Sequence, residues 1–236
     1  MSDYDRNVAA FPGAARTVAV DAGLRAHMIR VYNYMAGGVA LTGVVAYFTN
    51  QVFGQALQGS PIIYVLIFAP LALVFFLSYR IDSLAASTAR ALFFVYAALL
   101  GASLSVIFSV YTDTSITRVF FVSAAAFGGL SLWGYTTQRD LTGMGSFLMM
   151  GLIGIIIASL VNIFLRSSGL DWIISVIGVL VFAGLTAYDT QKIKEIYSPY
   201  DDGTVAGRKA VMGALSLYLD FINLFLMLLR LFGDRR

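Results

Sequence analysis

From Val31 to Tyr79 the chain carries no charged residue. A membrane-spanning helix needs about 20 mostly apolar residues. This run is too long for one span and long enough for two. The turn between them falls on Asn50-Gln51 through Gly59-Ser60-Pro61, where amides, glycine and proline gather. The first span is then about 29–49 and the second about 62–79. Pro70 predicts a kink or a local break in the second.

Five further apolar runs repeat the pattern, at about 91–111, 119–136, 146–165, 172–189 and 210–231. The run ending at Asp189 continues as helix to about Ile196, and Ser198–Gly203 is the clearest loop. The expected fold is all-α: a polytopic membrane protein with seven transmembrane helices in one bundle. Residues 1–28 read as a polar, cytoplasmic N-terminal segment, 29–233 as the membrane domain and 234–236 as a short basic tail. The opening residues hold no apolar core segment and do not look like a signal peptide. No internal repeat stands out, which leaves an inverted-repeat transporter little support.

Composition narrows the chemistry. Only 12% of the residues are charged, against about 25% in soluble domains. There is no cysteine, and His27 is the single histidine. A thiol nucleophile, a Cys-ligated metal, a multi-histidine zinc site and a Ser-His pair inside the membrane are therefore excluded. No cofactor box is visible. A net charge of +3 fits basic loops beside membrane helices better than nucleic-acid binding. Of the 16 Lys and Arg, eleven fall on the N-terminal side of the seven-span layout and five on the other. The bias favours an inside N-terminus and an outside C-terminus. A re-entrant seventh segment would put both inside.

Two carboxylates break the apolar pattern. Asp189 ends the uncharged run from Trp172, and Asp220 interrupts the run from Ala210 to Leu229. A charged side chain at the centre of a span costs roughly 2.5–3.5 kcal/mol on insertion scales. On neighbouring helices, like charge and poor solvation both oppose double ionisation. The two would share one proton and titrate as a unit, a physical route to a pH sensor. Alternatively each bonds privately to Tyr, Ser, Thr or Asn, or Asp189 reaches the interface beside Lys192. The register is awkward for a pair: Asp189 lies roughly 10 Å from its helix end and Asp220 roughly 15–20 Å into its own. Tilt or a broken helix would have to close the gap. Arg80, at the end of the second span, could hold an ionised Asp189, or be an ordinary positive-inside loop arginine.

Two further features have simpler readings. The polar stretch Thr136–Gly143 reads as an inner turn with an N-cap for the fifth helix. Gly37-Gly38, with Gly101 and Ser105, reads as small-residue helix packing.

Three segments carry a family resemblance: GLTAYDTQK (Gly184–Lys192), GYTTQRDLTG (Gly134–Gly143) and LYLDFINLFLMLLRLFG (Leu217–Gly233). Together they resemble the bacterial branch of the Bax inhibitor-1, or transmembrane Bax-inhibitor-motif, family. The resemblance implies an inner-membrane protein with a central seventh helix. It also implies a pH-sensitive calcium leak with an aspartate pair as sensor, which falls on Asp189 and Asp220. These carboxylates would meet calcium transiently. A latching arginine of the family falls on Arg80.

Three functions compete at this level. The first is a passive, pH-gated cation channel, whose partners are the bilayer and calcium ions. Calcium favours carboxylate and carbonyl oxygens. The second is an intramembrane aspartyl protease. Such sites usually pair Tyr-Asp with Gly-x-Gly-Asp, whereas Asp220 follows Tyr218-Leu219, so the expectation is of no enzyme. The third is a non-conducting regulator of membrane proteases or stress responses, using the N-terminal segment to dock membrane-protein partners.

Overall fold

The computed structural model describes the backbone of residues 12–57 and 60–236, and side chains from residue 22 onward except 55 and 57–59. Residues 1–11, and the side chains of Arg16 and Asp21, lie outside that description. Seven long helices account for nearly all of it: α1 (Pro12–Leu57), α2 (Ile62–Arg80), α3 (Ala86–Leu104) with a one-turn continuation α4 (Ile107–Val110), α5 (Asp113–Thr136), α6 (Thr142–Leu165), α7 (Ser168–Glu195) and α8 (Gly203–Phe232). The fold is an all-α membrane bundle, as the apolar runs require.

Among the described residues, six helices are long and apolar enough to cross a membrane, and α1 is not one of them. Asn33, Thr42 and Asn50 lower its hydropathy. It nevertheless runs the height of the bundle. His27 stacks beside Tyr197 at one end, and Asn50 accepts a hydrogen bond from Ser109 at the other, 3.0 Å. The intervening residues span about 35 Å at 1.5 Å per residue, against about 30 Å of hydrocarbon.

Several expected boundaries move. The turn expected over Asn50–Pro61 shrinks to the few residues after Leu57, because α1 continues through Gly54. A lone glycine costs a helix only about 1 kcal/mol. Pro70 sits inside α2 without ending it. The third span is interrupted after Leu104, where the Ser105 hydroxyl donates to the Ala102 carbonyl at 2.7 Å. There is no break at residues 28/29, since α1 is already helical from Pro12. The tail is docked. Arg236 N–H donates to the Val110 carbonyl, and the Thr112 N–H donates to that of Asp234.

α8 is the core of the bundle. In its apolar window 72% of the residues are buried, against 11% for α2 and α6. It packs against α1, α3, α5 and α7, while α2 rests mainly on α3 and α6 on α7. The bundle is therefore two three-helix units, α1–α2–α3 and α5–α6–α7, wrapped around one helix. Since successive helices alternate in direction, the units run oppositely. This repeat in topology has no counterpart in the sequence.

Small residues set the closest approaches. A Cβ at Gly101 would lie 2.6 Å from the Thr42 carbonyl oxygen, and one at Gly38 would lie 2.7 Å from the Phe93 ring. That bears out packing as the role of these glycines. In the second unit, a Cβ at Gly134 would collide with the Ala187 carbonyl. Gly134→Ala should therefore push α5 from α7 and destabilise the fold by about 1–3 kcal/mol. Gly128→Ala on the same helix meets nothing within 4 Å and should leave stability unchanged or raised. Thermal unfolding in detergent reads both.

Candidate functional site

The helix pair α7–α8 runs antiparallel, and its register is fixed by two contacts. Gly213 lies against Ile193, and Gly178 lies against Met227. Interpolation puts Asp220 level with about residue 186, one helical turn from Asp189, or about 5 Å along the axis. The awkward register amounts to that one turn, although α8 starts at Gly203 and not near 210. No broken helix is needed.

Asp220 is only 4% exposed. Its Oδ2 has no hydrogen-bond partner among the protein's described groups. A buried polar atom without a partner is rare in native structures, and the privately bonded alternative does not account for it. Among the described residues no third acidic, histidine or cysteine side chain joins the pair. Two carboxylates supply at most about four oxygens, whereas calcium takes about six to eight. The pair is not a closed calcium cage.

Arg80 is placed elsewhere. It is the last residue of α2, exposed to solvent, on a helix that rests mainly on α3. Lys192 follows Asp189 by three residues on the same helix, and its ammonium lies over the Tyr188 ring at 5.9 Å. The ion pairs among the described residues involve Asp113, Asp171, Asp201 and Asp234. None includes Asp189, Asp220 or Arg80.

The motif residues after Asp189 build its surroundings. The Gln191 side chain accepts the Leu141 N–H and donates to the Arg139 carbonyl, both at 2.8 Å. One side chain thus pins the α5–α6 turn onto α7. That turn is self-capped as well: the Asp140 carboxylate accepts the Thr142 N–H at 2.8 Å. Hydrogen bonds from Thr142 also hold the Asp140 carboxyl below its ordinary range.

Thr190 lies fully buried and donates to the Thr186 carbonyl at 2.7 Å. Its one proton is used there, so Ser131 must donate to Thr190 (2.9 Å) and Tyr32 to Ser131 (2.6 Å). This hydroxyl string joins α1, α5 and α7. Near the opposite end, Thr42 donates to the Ala97 carbonyl (2.9 Å) and therefore accepts from buried Tyr218 (2.6 Å). Gln191 and Thr190 were visible in the AYDTQ segment, but nothing in their spacing signals these partners.

His27 is not part of a polar surface. It is 5% exposed and packs against Tyr197 of the α7–α8 loop. Burial, then the charges of Arg30 and Lys209, hold its imidazole below 6.5, against a smaller opposing effect of Asp201. A base with a lowered folded pKa contributes stability in full above its unfolded value. That stability declines as pH falls below 6.5 toward the lowered value. Amide exchange in residues 22–30 should accelerate, after correction for intrinsic rates, as pH drops below 6.5. The acceleration should be smaller in His27→Gln.

Comparison with known proteins is consistent across the chain. The family model "Inhibitor of apoptosis-promoting Bax1" matches residues 24–236. An uncharacterized protein of Rickettsia prowazekii is 48% identical, covering 100% of both chains. The inner membrane protein YbhL of Escherichia coli K12 is 49% identical, covering 96% of this chain and 99% of its own. An uncharacterized membrane protein of Streptococcus pyogenes is 39% identical, covering 90% and 94%.

Proposed function

Because this chain belongs to the Bax inhibitor-1 family, we propose that its carboxylate pair gates a passive, pH-sensitive cation path, with calcium as cargo. The observation that carries this is the buried, unpartnered Asp220 Oδ2 one turn from Asp189. Two carboxylates this close in a poorly solvated place do not both ionise freely, so their shared proton follows the surrounding pH. An ionised Asp189 is held toward the basic end by Lys192, three residues on along the same helix. Arg80 would join it only if α2 moved across from α3. Protonation releases the hold and favours opening. The role is that of a conduit and not of an enzyme.

Calcium flux into proteoliposomes of purified protein, measured against pH, tests the proposal. Asp189→Asn keeps the shape but cannot ionise. Its leak should be raised at alkaline pH and rise little further on acidification. Asp220→Asn leaves one titrating group where there were two, so the midpoint of the profile should move. If both variants keep the wild-type profile, the aspartates are structural and the proposal fails.

We also propose that the protein sits in a bacterial inner membrane with its N-terminus cytoplasmic. Residues 22–30 and the α7–α8 loop share one end of the bundle, while Arg236 lies beside Val110 at the other. Basic residues concentrate at the first end. Reporter fusions to Arg236 should show an outside C-terminus. An inside location would overturn the orientation.

A further inference from the structure

At the basic end of the bundle, α1, α3 and α8 converge around a cavity of about 370 Å³. Arg30 and Tyr34 line it from α1, Ser87 and Arg90 from α3, and Gly203 and Gly207 from α8. α1 and α3 run parallel here: Gly38 meets Phe93, and Gly101 meets Thr42. Arg30 and Arg90 therefore lie at similar heights on facing helices. Neither forms an ion pair with any described carboxylate. Asp202, the N-cap of α8, has its Oδ1 occupied by the Thr204 and Val205 N–H groups, both at 2.8 Å.

Both guanidiniums are exposed at the rim of this cavity and neither is ion-paired with a described carboxylate, so an anion between them would meet two unpaired positive charges. The rest of the wall supplies donors. Tyr34 and Ser87 bring hydroxyls. α3 has no side-chain cap, so its first-turn N–H groups, beside Ala86 and Ser87, add to the arginines' pull on an anion. The walls are held in place. Arg208 of α8 donates from Nε to the Leu84 carbonyl, 2.6 Å, just before α3. A Cβ at Gly207 would lie 2.6 Å from the Ala86 Cβ, so the two helix ends touch at the floor. Gly203, with nothing within 4 Å, leaves the mouth open.

We infer that this cavity binds a phosphate group, held by forked contacts from Arg30 and Arg90. A tetrahedral oxyanion matches converging guanidinium, hydroxyl and backbone donors. Its source is either a phosphate in solution or the headgroup of an anionic phospholipid at the membrane surface, since both present the same group. Occupation joins three helices, two of them carrying no residue of the carboxylate pair. The site is thus separate from Asp189 and Asp220, and its test does not depend on calcium flux.

The probes are inorganic phosphate, titrated by calorimetry into the full-length protein in neutral detergent, and phosphatidylglycerol against phosphatidylcholine, read by native mass spectrometry. At least one phosphate probe should bind: inorganic phosphate saturably, or phosphatidylglycerol in preference to phosphatidylcholine. The double variant Arg30→Gln/Arg90→Gln should weaken it by a factor of about ten or more, as expected for lost charge-assisted bonds. Arg25→Gln/Arg139→Gln removes two charges from the same end outside the cavity and should change binding less than about twofold on the same scale. Inorganic phosphate binding without a lipid preference assigns a soluble ligand. A phosphatidylglycerol preference lost only in the Arg30/Arg90 variant assigns a headgroup. Absence of binding by either probe, or equal weakening in both double variants, overturns the site.

Discussion

The bundle depends on enclosing α8. In water, a helix buried on nearly every face is held by the hydrophobic effect. In lipid that drive between helices is absent, and close packing and hydrogen bonds must do the work. α8 meets the requirement with four neighbours and with buried Tyr218, whose hydroxyl donates to Thr42 on α1. Rings of Phe93 and Tyr96 flank Tyr218, with centroids 5.7 and 5.8 Å away. The same enclosure makes Asp220 exceptional. Any carboxylate on this helix faces protein on all sides, so its ionisation depends on what its neighbours offer and not on bulk water.

The two three-helix units solve their contacts by similar means. α1 approaches α3 at Gly38 and Gly101, and α5 approaches α7 at Gly134. In each case a missing Cβ lets the facing backbone or ring come within contact distance. α2 and α6 lie outside these close pairs and carry half of the exposed large hydrophobic side chains among the described residues. Their exposed phenylalanines, leucines and isoleucines are ordinary for a surface solvated by acyl chains.

Much of this was legible in the residues, and the rest has identifiable reasons for being hidden. Uncharged runs locate helices because lipid penalises charge, so the existence of the seven long helices follows from the sequence, while the break that sets off α4 does not. Helix ends do not, because amides and single glycines such as Gln51 and Gly54 are tolerated in helices. α1 therefore outran its expected turn, and α8 began before Ala210. The packing of α8 on α7 is what brings Asp220 within one turn of Asp189, a relation between two helices that no spacing within either one reveals. Arg80 was chosen because it ends a span on the same side as Asp189. Sidedness is a property of topology, however, and proximity is a property of packing. α2 packs on α3, and Lys192 takes the place beside Asp189. The opposed direction of the two units left no trace because packing conserves shape and polarity, which many residue combinations satisfy.

The string from Tyr32 through Ser131 and Thr190 to the Thr186 carbonyl has a direction. Each hydroxyl carries one proton, and the terminal carbonyl can only accept. The order of donation is therefore set from the inner end outward. Losing Tyr32 removes a donor and leaves every inner group satisfied. Losing the Thr190 hydroxyl strands Ser131's proton in a buried place and, through it, reverses the demand on Tyr32. The three helices are thus joined by a tie whose tolerance to substitution is graded, permissive at α1 and strict at α7. Evolutionary drift can work at one end of it while the other stays fixed.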